Sequence, residues 1–201
     1  MTSRRLAVPA AALAVAAALA AVPPAAHAST TAAAAAQEVV APKLLKFGQS
    51  VRIAGDQGNP LRIAPVGVYY HRPASPHFAK PRSKWFVAIA LKVTALSKAD
   101  RVPPPISGSQ WRVKTGGRTF TVFSGNASSA PWVGRTDGQE VTVHPGSAEV
   151  IYYSFDLPKT GGVLEWSTPR GVTRWQIPAT KYGKAAVIRP LLDAIADYEG
   201  R

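Results

Sequence analysis

Residues 84–96, which read KWFVAIALKVTAL, decide the fold class. Every odd position in this stretch is apolar, while lysine and threonine occupy even positions near its two ends. Side chains alternate between the two faces of a strand, so the pattern predicts a β-strand over Lys84–Leu96 with one face on a core. The even positions in the middle are apolar as well, which predicts a central strand covered on both faces there: Phe86, Ala88 and Ala90.

Glycine and proline interrupt the chain at short intervals on both sides of this strand, and the runs between them alternate apolar and polar residues. That spacing is typical of short strands in a sandwich or barrel. The further strands predicted are Gln49–Ile53, Leu61–Tyr70, Gln110–Thr115, Arg118–Phe123, Gln139–Val143, Ser147–Leu157, Val163–Ser167 and Val172–Ile177. No helical pattern separates them, so we predict an all-β, antiparallel immunoglobulin-like sandwich of about eight or nine strands.

Glycine and proline also mark the connections. Gly116-Gly117 joins two strand-like runs and predicts a β-hairpin, because both turn residues can adopt positive φ. Pro65 and Gly67 predict an edge strand or a bulge. In the tail 179–201 we predict a short helix with Pro190 in its first turn, docked on the sandwich in preference to a membrane or a partner. Its apolar residues fall at helical spacing: Leu191, Leu192, Ile195 and Tyr198.

The first 28 residues carry the features of a cleavable export signal. Arg4 and Arg5 form a positive start, an uncharged Ala/Leu/Val run follows, and Ala26-His27-Ala28 supplies the small residues of a cleavage site. A retained membrane helix is the alternative, but a span needs about 20 mostly apolar residues and this run is shorter. We therefore predict a signal peptide over residues 1–28, no stable membrane insertion after its cleavage, and a secreted, extracellular or wall-associated protein. Sec and twin-arginine export both stay open.

The remaining chain lacks cysteine and is strongly basic. Without cysteine it forms neither disulfides nor a lipid anchor, so the domain depends on its core. Residues 29–201 contain 22 basic and 11 acidic residues, a net charge of +11. Such a charge attracts polyanions over long range, although it also serves simple solubility. The predicted organisation is an Ala/Thr-rich spacer at 29–46, the β-sandwich at 47–178 and the tail at 179–201.

The order of these features resembles the small exported immunoglobulin-like β-sandwich proteins of actinobacteria, the telokin-like secreted-antigen group. The resemblance covers residues 47–178 and rests on four stretches: FGQSV at 47–51, the apolar strand 85–96, HPGS at 144–147 leading into YYSFDLP at 152–158, and the closing strand 172–178. The chain departs from the pattern at Ala95, where the family often has Asn. The resemblance implies a fold and an extracellular location, and it implies no catalytic residues.

No cluster of residues has the spacing of a catalytic or metal site. His71 and His77 stand six residues apart in a proline-rich loop with no carboxylate nearby in sequence, and His144 precedes a Pro-Gly turn. We interpret all three as ordinary loop histidines. The sequence has no G-x-S-x-G elbow and no glycine-rich nucleotide motif. We therefore predict no catalytic residues, no metal and no cofactor.

Residues 157–161, LPKTG, match the L-P-x-T-G pattern of sortase substrates. A working signal would be followed by an apolar membrane segment, whereas residues 162–201 contain polar strand-like runs. Cleavage would also remove two predicted strands. We interpret the match as a strand that ends at Pro158 and a turn at Gly161-Gly162.

The strongest candidate for a binding surface is the loop before the Lys84–Leu96 strand. It holds three prolines, which limit the entropy lost on binding, and cations that suit phosphate or carboxylate polymers: Arg72, Lys80, Arg82 and Lys84. Ordinary solvation of a basic loop is the alternative. Strand cations would extend the patch if their faces align: Arg62, Lys92, Arg112, Lys114 and Arg174. Trp132, in the connection 124–138, is a candidate for partner contact, unless it folds back onto the core.

These observations favour a secreted non-enzymatic binding module whose partner is an anionic cell-wall polymer or a protein. An extracellular enzyme, such as a hydrolase with an unrecognised site, is one alternative and would require a buried cluster of Asp or His with shifted pKa values. A secreted inhibitor or antigen-like protein is another, and would require an exposed aromatic loop around Trp132. Nucleic acid is disfavoured by the export signal, although the charge would permit it. The oligomeric state stays open.

Overall fold

The computed structural model describes residues 43–102, 111–130, 141–168 and 171–201, all within one compact unit. The predicted signal peptide 1–28, most of the predicted spacer and Trp132 lie outside the described residues. Within the described ranges, no helix is long and apolar enough to cross a bilayer.

Most strands lie in two sheets. One has the order β2 (Val51–Ala54), β3 (Pro60–His71), β4 (Trp85–Ala95), β9 (Ala148–Leu157). The other has the order β1 (Leu44–Lys46), β11 (Gly171–Ile177), β10 (Gly162–Thr168), β6 (Trp111–Thr115), β7 (Arg118–Thr121). A short pair joins β5 (Asp100–Arg101) to β8 (Thr142–Val143), and a 3₁₀ turn (Ala127–Ser129) and helix α1 (Ala185–Glu199) complete the described elements. The predicted β-sandwich with a C-terminal helix is confirmed.

The core lies between the two sheets and follows from the alternation seen in the sequence. The odd positions of β4 from Val87 to Val93 are buried in it. From the other sheet come three fully or almost fully buried tryptophans, Trp111, Trp166 and Trp175. The ring centres of the first two lie 4.5 Å apart. Each such ring removes about 150–250 Å² from water, so the three supply a large share of the hydrophobic stabilisation.

The second face of β4 is covered as well, as its apolar even positions predicted. Phe86 and Ala88 pack with Leu191 and Ile195 of α1. The hydroxyl of Tyr152 donates to the carbonyl of Val187 at 2.6 Å. The helix therefore docks on the outer face of the four-stranded sheet.

Helix α1 begins earlier than predicted. It starts at Ala185, so Pro190 lies inside the helix and not in its first turn. The reason is an additional buried anchor, Ile188, which packs so close to Gly67 that a Cβ there would lie 3.1 Å from its Cδ1. Burial of this extra turn outweighs the hydrogen bond that proline removes from the helix.

The sequence did not predict strands β1 and β5, and the pairing of β1 is parallel where an antiparallel sandwich was predicted. Strand β1 lies within the predicted spacer 29–46 and pairs in parallel with β11, so the sheet begins before residue 47 and is not wholly antiparallel. A strand of three residues shows no alternation, and its partner lies more than a hundred residues away. Strand β5 has only two residues. The predicted bulge between Pro65 and Gly67 and the Gly116-Gly117 hairpin, with φ of +58° and +74°, are confirmed.

Candidate functional site

The connection from β3 to β4, residues 72–84, is called the basic loop below. Its cations Arg72, Lys80, Arg82 and Lys84 all have exposed side chains. Among the described residues, none of the four forms an ion pair with a carboxylate. All four predicted cations therefore lie in one connection at one end of the sandwich, and their side chains are exposed.

A buried carboxylate fastens the backbone of the basic loop. Asp156, the second-last residue of β9, is fully buried and accepts the N–H of Arg82 at 2.6 Å and the N–H of Ser83 at 2.8 Å. It also accepts the N–H of Asn126 at 2.8 Å, and the side-chain amide of Asn126 donates to the carbonyl of Lys80 at 2.8 Å. Hydrogen bonds to an ionised carboxylate are among the strong ones, so they hold the loop in place beneath its cations.

Sequence reasoning missed Asp156 as part of this surface. The alternation along β9 places Asp156 opposite the core, but its loop partners are more than seventy residues away in sequence. Gly125 completes the arrangement, because a Cβ at this position would lie 2.4 Å from Oδ2 of Asp156 and φ is +62°. Only glycine fits that close approach.

The C-terminal end of α1 provides a second contact that holds the loop in place. The ring of Phe78 lies 5.1 Å from that of Tyr198. Next to it, Nε2 of His71 contacts Oε1 of Glu199 at 2.7 Å, and Oε2 of Glu199 pairs with Arg201 at 2.6 Å. The interpretation of His71 as a loop histidine is therefore wrong: it is the last residue of β3 and is buried. Burial lowers the pKa of His71, and this effect outweighs the opposing hydrogen bond to Glu199.

Two aromatic residues connect the basic loop to the turn after β9. The guanidinium of Arg72 lies 5.4 Å from the ring centre of Trp85, and that ring meets Tyr70 edge-on at 6.3 Å. The hydroxyl of Tyr70 accepts the N–H of Gly161 at 2.9 Å and donates to the carbonyl of Pro178 at 2.5 Å. Burial raises the pKa of Tyr70, so this hydroxyl keeps its proton. The LPKTG stretch is thus the end of β9 and a fastened turn, as interpreted from the sequence.

The five strand cations do not form one patch. Arg62 and Lys92 lie on the outer face of the four-stranded sheet, beside exposed or half-buried neighbours. The other three surround the fully buried Glu165 on the outer face of the five-stranded sheet, with nitrogen–oxygen distances of 2.9, 3.2 and 3.7 Å: Arg174, Lys114 and Arg112. These three cations and Glu165 together carry a net charge of +2.

The described residues contain no group of three or more His, Asp and Glu side chains placed to hold a metal ion. Trp132 itself lies outside the described residues. Phe123, which follows β7 before that connection, is 53% exposed. The described surface therefore offers cationic groups on a loop whose backbone is held by hydrogen bonds.

No protein-family model and no curated protein matches the chain. Similar solved structures include MPT63, a secreted protein from Mycobacterium tuberculosis, with 14% identity over 68% of this chain and 98% of that chain and a TM-score of 0.46. They also include a Bacillus subtilis protein described as a lipoprotein, with 10% identity over 75% of this chain and 47% of that chain and a TM-score of 0.39. The β-sandwich is therefore assigned from the strands and core of this chain itself.

Proposed function

We propose that this protein is a secreted, non-enzymatic binding module for an anionic polymer of the cell envelope. The observation that carries the proposal is the basic loop: four exposed cations stand on a backbone that Asp156 and Asn126 hold by hydrogen bonds. The sequence contributes the predicted export signal and the positive charge of the chain.

A fixed basic loop suits a polymer better than an isolated small anion. Each exposed cation contributes little alone, because water and salt screen it. Several cations on a fixed backbone act together on a chain of repeated charges, and little ordering entropy is lost on binding because the loop is already in place. The net positive charge adds long-range attraction that speeds the encounter.

The proposal is tested by co-sedimentation of the purified protein with purified cell-wall material over a series of salt concentrations. In one variant, all four loop cations are replaced by alanine: Arg72, Lys80, Arg82 and Lys84. The matched control removes the same charge from the exposed cations Arg52, Arg62, Lys92 and Lys98, which lie away from the loop. We expect saturable binding that weakens with salt, is lost in the loop variant and is largely kept in the control.

Three results would overturn the proposal. The first is no binding of the unmodified protein at low salt, where electrostatic attraction is strongest. The second is an equal loss of binding in both variants, because binding would then depend on the net charge of the protein and not on the basic loop. Binding to the material after its anionic polymers are extracted would identify a protein or neutral glycan as the ligand and would also contradict it.

A further inference from the structure

A second cationic surface lies at the same end of the sandwich, in an open groove of about 880 Å³ between two hairpin turns. One wall is the Gly116-Gly117 turn of β6 and β7, the other is the 159–162 turn of β9 and β10, and the end of β11 closes the floor. The described residues that line it include three cations and no carboxylate: Lys114, Arg118 and Lys159. This groove is called the hairpin groove.

The walls of the hairpin groove are fixed by close contacts. Gly162 lies so near β6 that a Cβ would be 2.6 Å from the carbonyl oxygen of Lys114, with φ of +125°. Tyr70 ties Gly161 on one wall to Pro178 on the floor through its hydroxyl. The groove therefore exists before any ligand binds, which reduces the entropy cost of binding.

The chemistry of the groove suits an anionic group. A two-residue hairpin turn closes through the carbonyl of Thr115 and the N–H of Arg118, so the turn does not use the N–H groups of Gly116 and Gly117. Thr115 lines the groove and is 5% exposed, and among the described residues its hydroxyl has no hydrogen-bond partner. The positive charge of Lys114 is partly compensated by Glu165, whose Oε1 lies 3.2 Å from the Lys114 Nζ. Arg118 and Lys159 form no ion pair within the described part of the chain.

The hairpin groove and the basic loop are joined through side chains already described. Arg72 of the loop stacks on Trp85, Trp85 meets Tyr70, and Tyr70 bonds to Gly161 in the groove wall. Strand pairing agrees with this link, because Trp85, where the loop enters β4, pairs with Leu157, where the chain leaves β9 for the groove turn. The two cationic surfaces thus lie side by side at one end of the sandwich.

We propose that the hairpin groove is a second subsite for the same anionic polymer, and that it binds phosphate or carboxylate groups of a chain that also contacts the basic loop. The inference rests on the proposed function and deepens it. The side chains of Arg118 and Lys159 supply the charge, and the amides of Gly116 and Gly117 donate to the anionic oxygens. A chain that reaches both surfaces gains affinity because its second contact is intramolecular.

The test uses the purified full protein with two soluble probes, long-chain inorganic polyphosphate for phosphate and polygalacturonate for carboxylate. The variant Arg118→Gln/Lys159→Gln removes the groove charges, and Arg52→Gln/Lys98→Gln is the control with the same charge change. At about fivefold per cation, the groove variant should bind the preferred long probe about 25-fold more weakly than the control does. Amide NMR signals of Gly116 and Gly117 should shift on titration.

The length of the polyphosphate probe distinguishes binding at one surface from binding at both. Long polyphosphate should bind more tightly than tripolyphosphate to the unmodified protein, and the groove variant should lose most of that advantage. Groove-variant affinity equal to that of the control, or glycine amide signals that do not move, would overturn the groove proposal while leaving the basic loop as the binding surface. Failure of the unmodified protein to bind either probe at low salt would overturn both. Whichever probe binds more tightly identifies the anionic group.

Discussion

Replacing Asp156 with alanine tests whether the basic loop works because its backbone is fixed. The substitution leaves the N–H groups of Arg82, Ser83 and Asn126 without their acceptor. Arg82 and Ser83 are exposed, so water replaces part of each bond that they lose. At about 1 kcal/mol net for each lost bond, the free energy of unfolding should fall by about 3 kcal/mol. For a domain of this size, that is a decrease in Tm of about 6–12 °C. The cations are untouched, and removal of the negative charge of Asp156 would by itself strengthen attraction for a polyanion. Weaker binding would therefore come from the loss of order in the loop.

Asp100→Ala is the matched control for this experiment. Asp100 is also buried and accepts three backbone N–H groups, from Arg101 at 2.7 Å, Asn59 at 2.9 Å and Gln57 at 3.1 Å. It lies beside the β2–β3 turn, at the opposite end of β3 from the basic loop. Both variants should lose similar stability, but only Asp156→Ala should weaken polyphosphate binding, by about tenfold or about 1.4 kcal/mol.

The assay combines thermal unfolding followed by circular dichroism with polyphosphate titrations well below the Tm of either variant. Two results would refute the reasoning. If Asp156→Ala loses stability but keeps full affinity, a fixed loop is not needed for binding. If both variants lose affinity equally, general loosening of the domain, and not the loop, explains the effect.

Three other outcomes are expected. Burial lowers the pKa of His71, so the unfolded chain takes up a proton at higher pH than the native state does. The free energy of unfolding should therefore decrease as the pH falls below about 6.5. In denaturant titrations, His71→Gln should flatten that part of the pH profile. Gly162→Ala, which clashes with Lys114, should cost about 1–3 kcal/mol, whereas Gly117→Ala, with open space and φ of +74°, should cost about 1 kcal/mol in the same assay. Protein recovered from the medium of an expressing host should begin at Ser29 by N-terminal sequencing, and a retained leader would contradict the export prediction.

The fold was largely predictable because long alternating strands carry their own signal. The alternation of residues 84–96 predicted both the strand and its two covered faces, and the glycine pairs located the turns. The short strands β1 and β5 could not be predicted, because two or three residues have no period and their pairing depends on distant partners. The start of α1 was missed because the contact of Ile188 with the Gly67 region exists only in the folded chain.

The charged residues of the candidate site were predictable from the sequence, but the residues that hold the loop in place were not. Four cations close together in sequence identify the basic loop directly. Asp156, Tyr198 and Glu199 reach it only through folding, since each contacts residues more than seventy positions away. The hairpin groove illustrates the same limit, because its cations come from two hairpins whose proximity follows from the pairing of β10 with β6.

The most direct test of polyanion binding is the salt dependence of polyphosphate affinity. Each phosphate contact neutralised on a single-stranded polyanion contributes about −0.7 to the slope of log K against log salt. The four cations of the basic loop therefore predict a slope near −3, and Arg118 and Lys159 of the hairpin groove would steepen it to about −4. Replacing the loop cations with alanine should reduce the slope by about 3, while the control that removes Arg52, Arg62, Lys92 and Lys98 should leave it nearly unchanged. A slope near zero in the unmodified protein, or the same slope in the loop variant, would contradict the account.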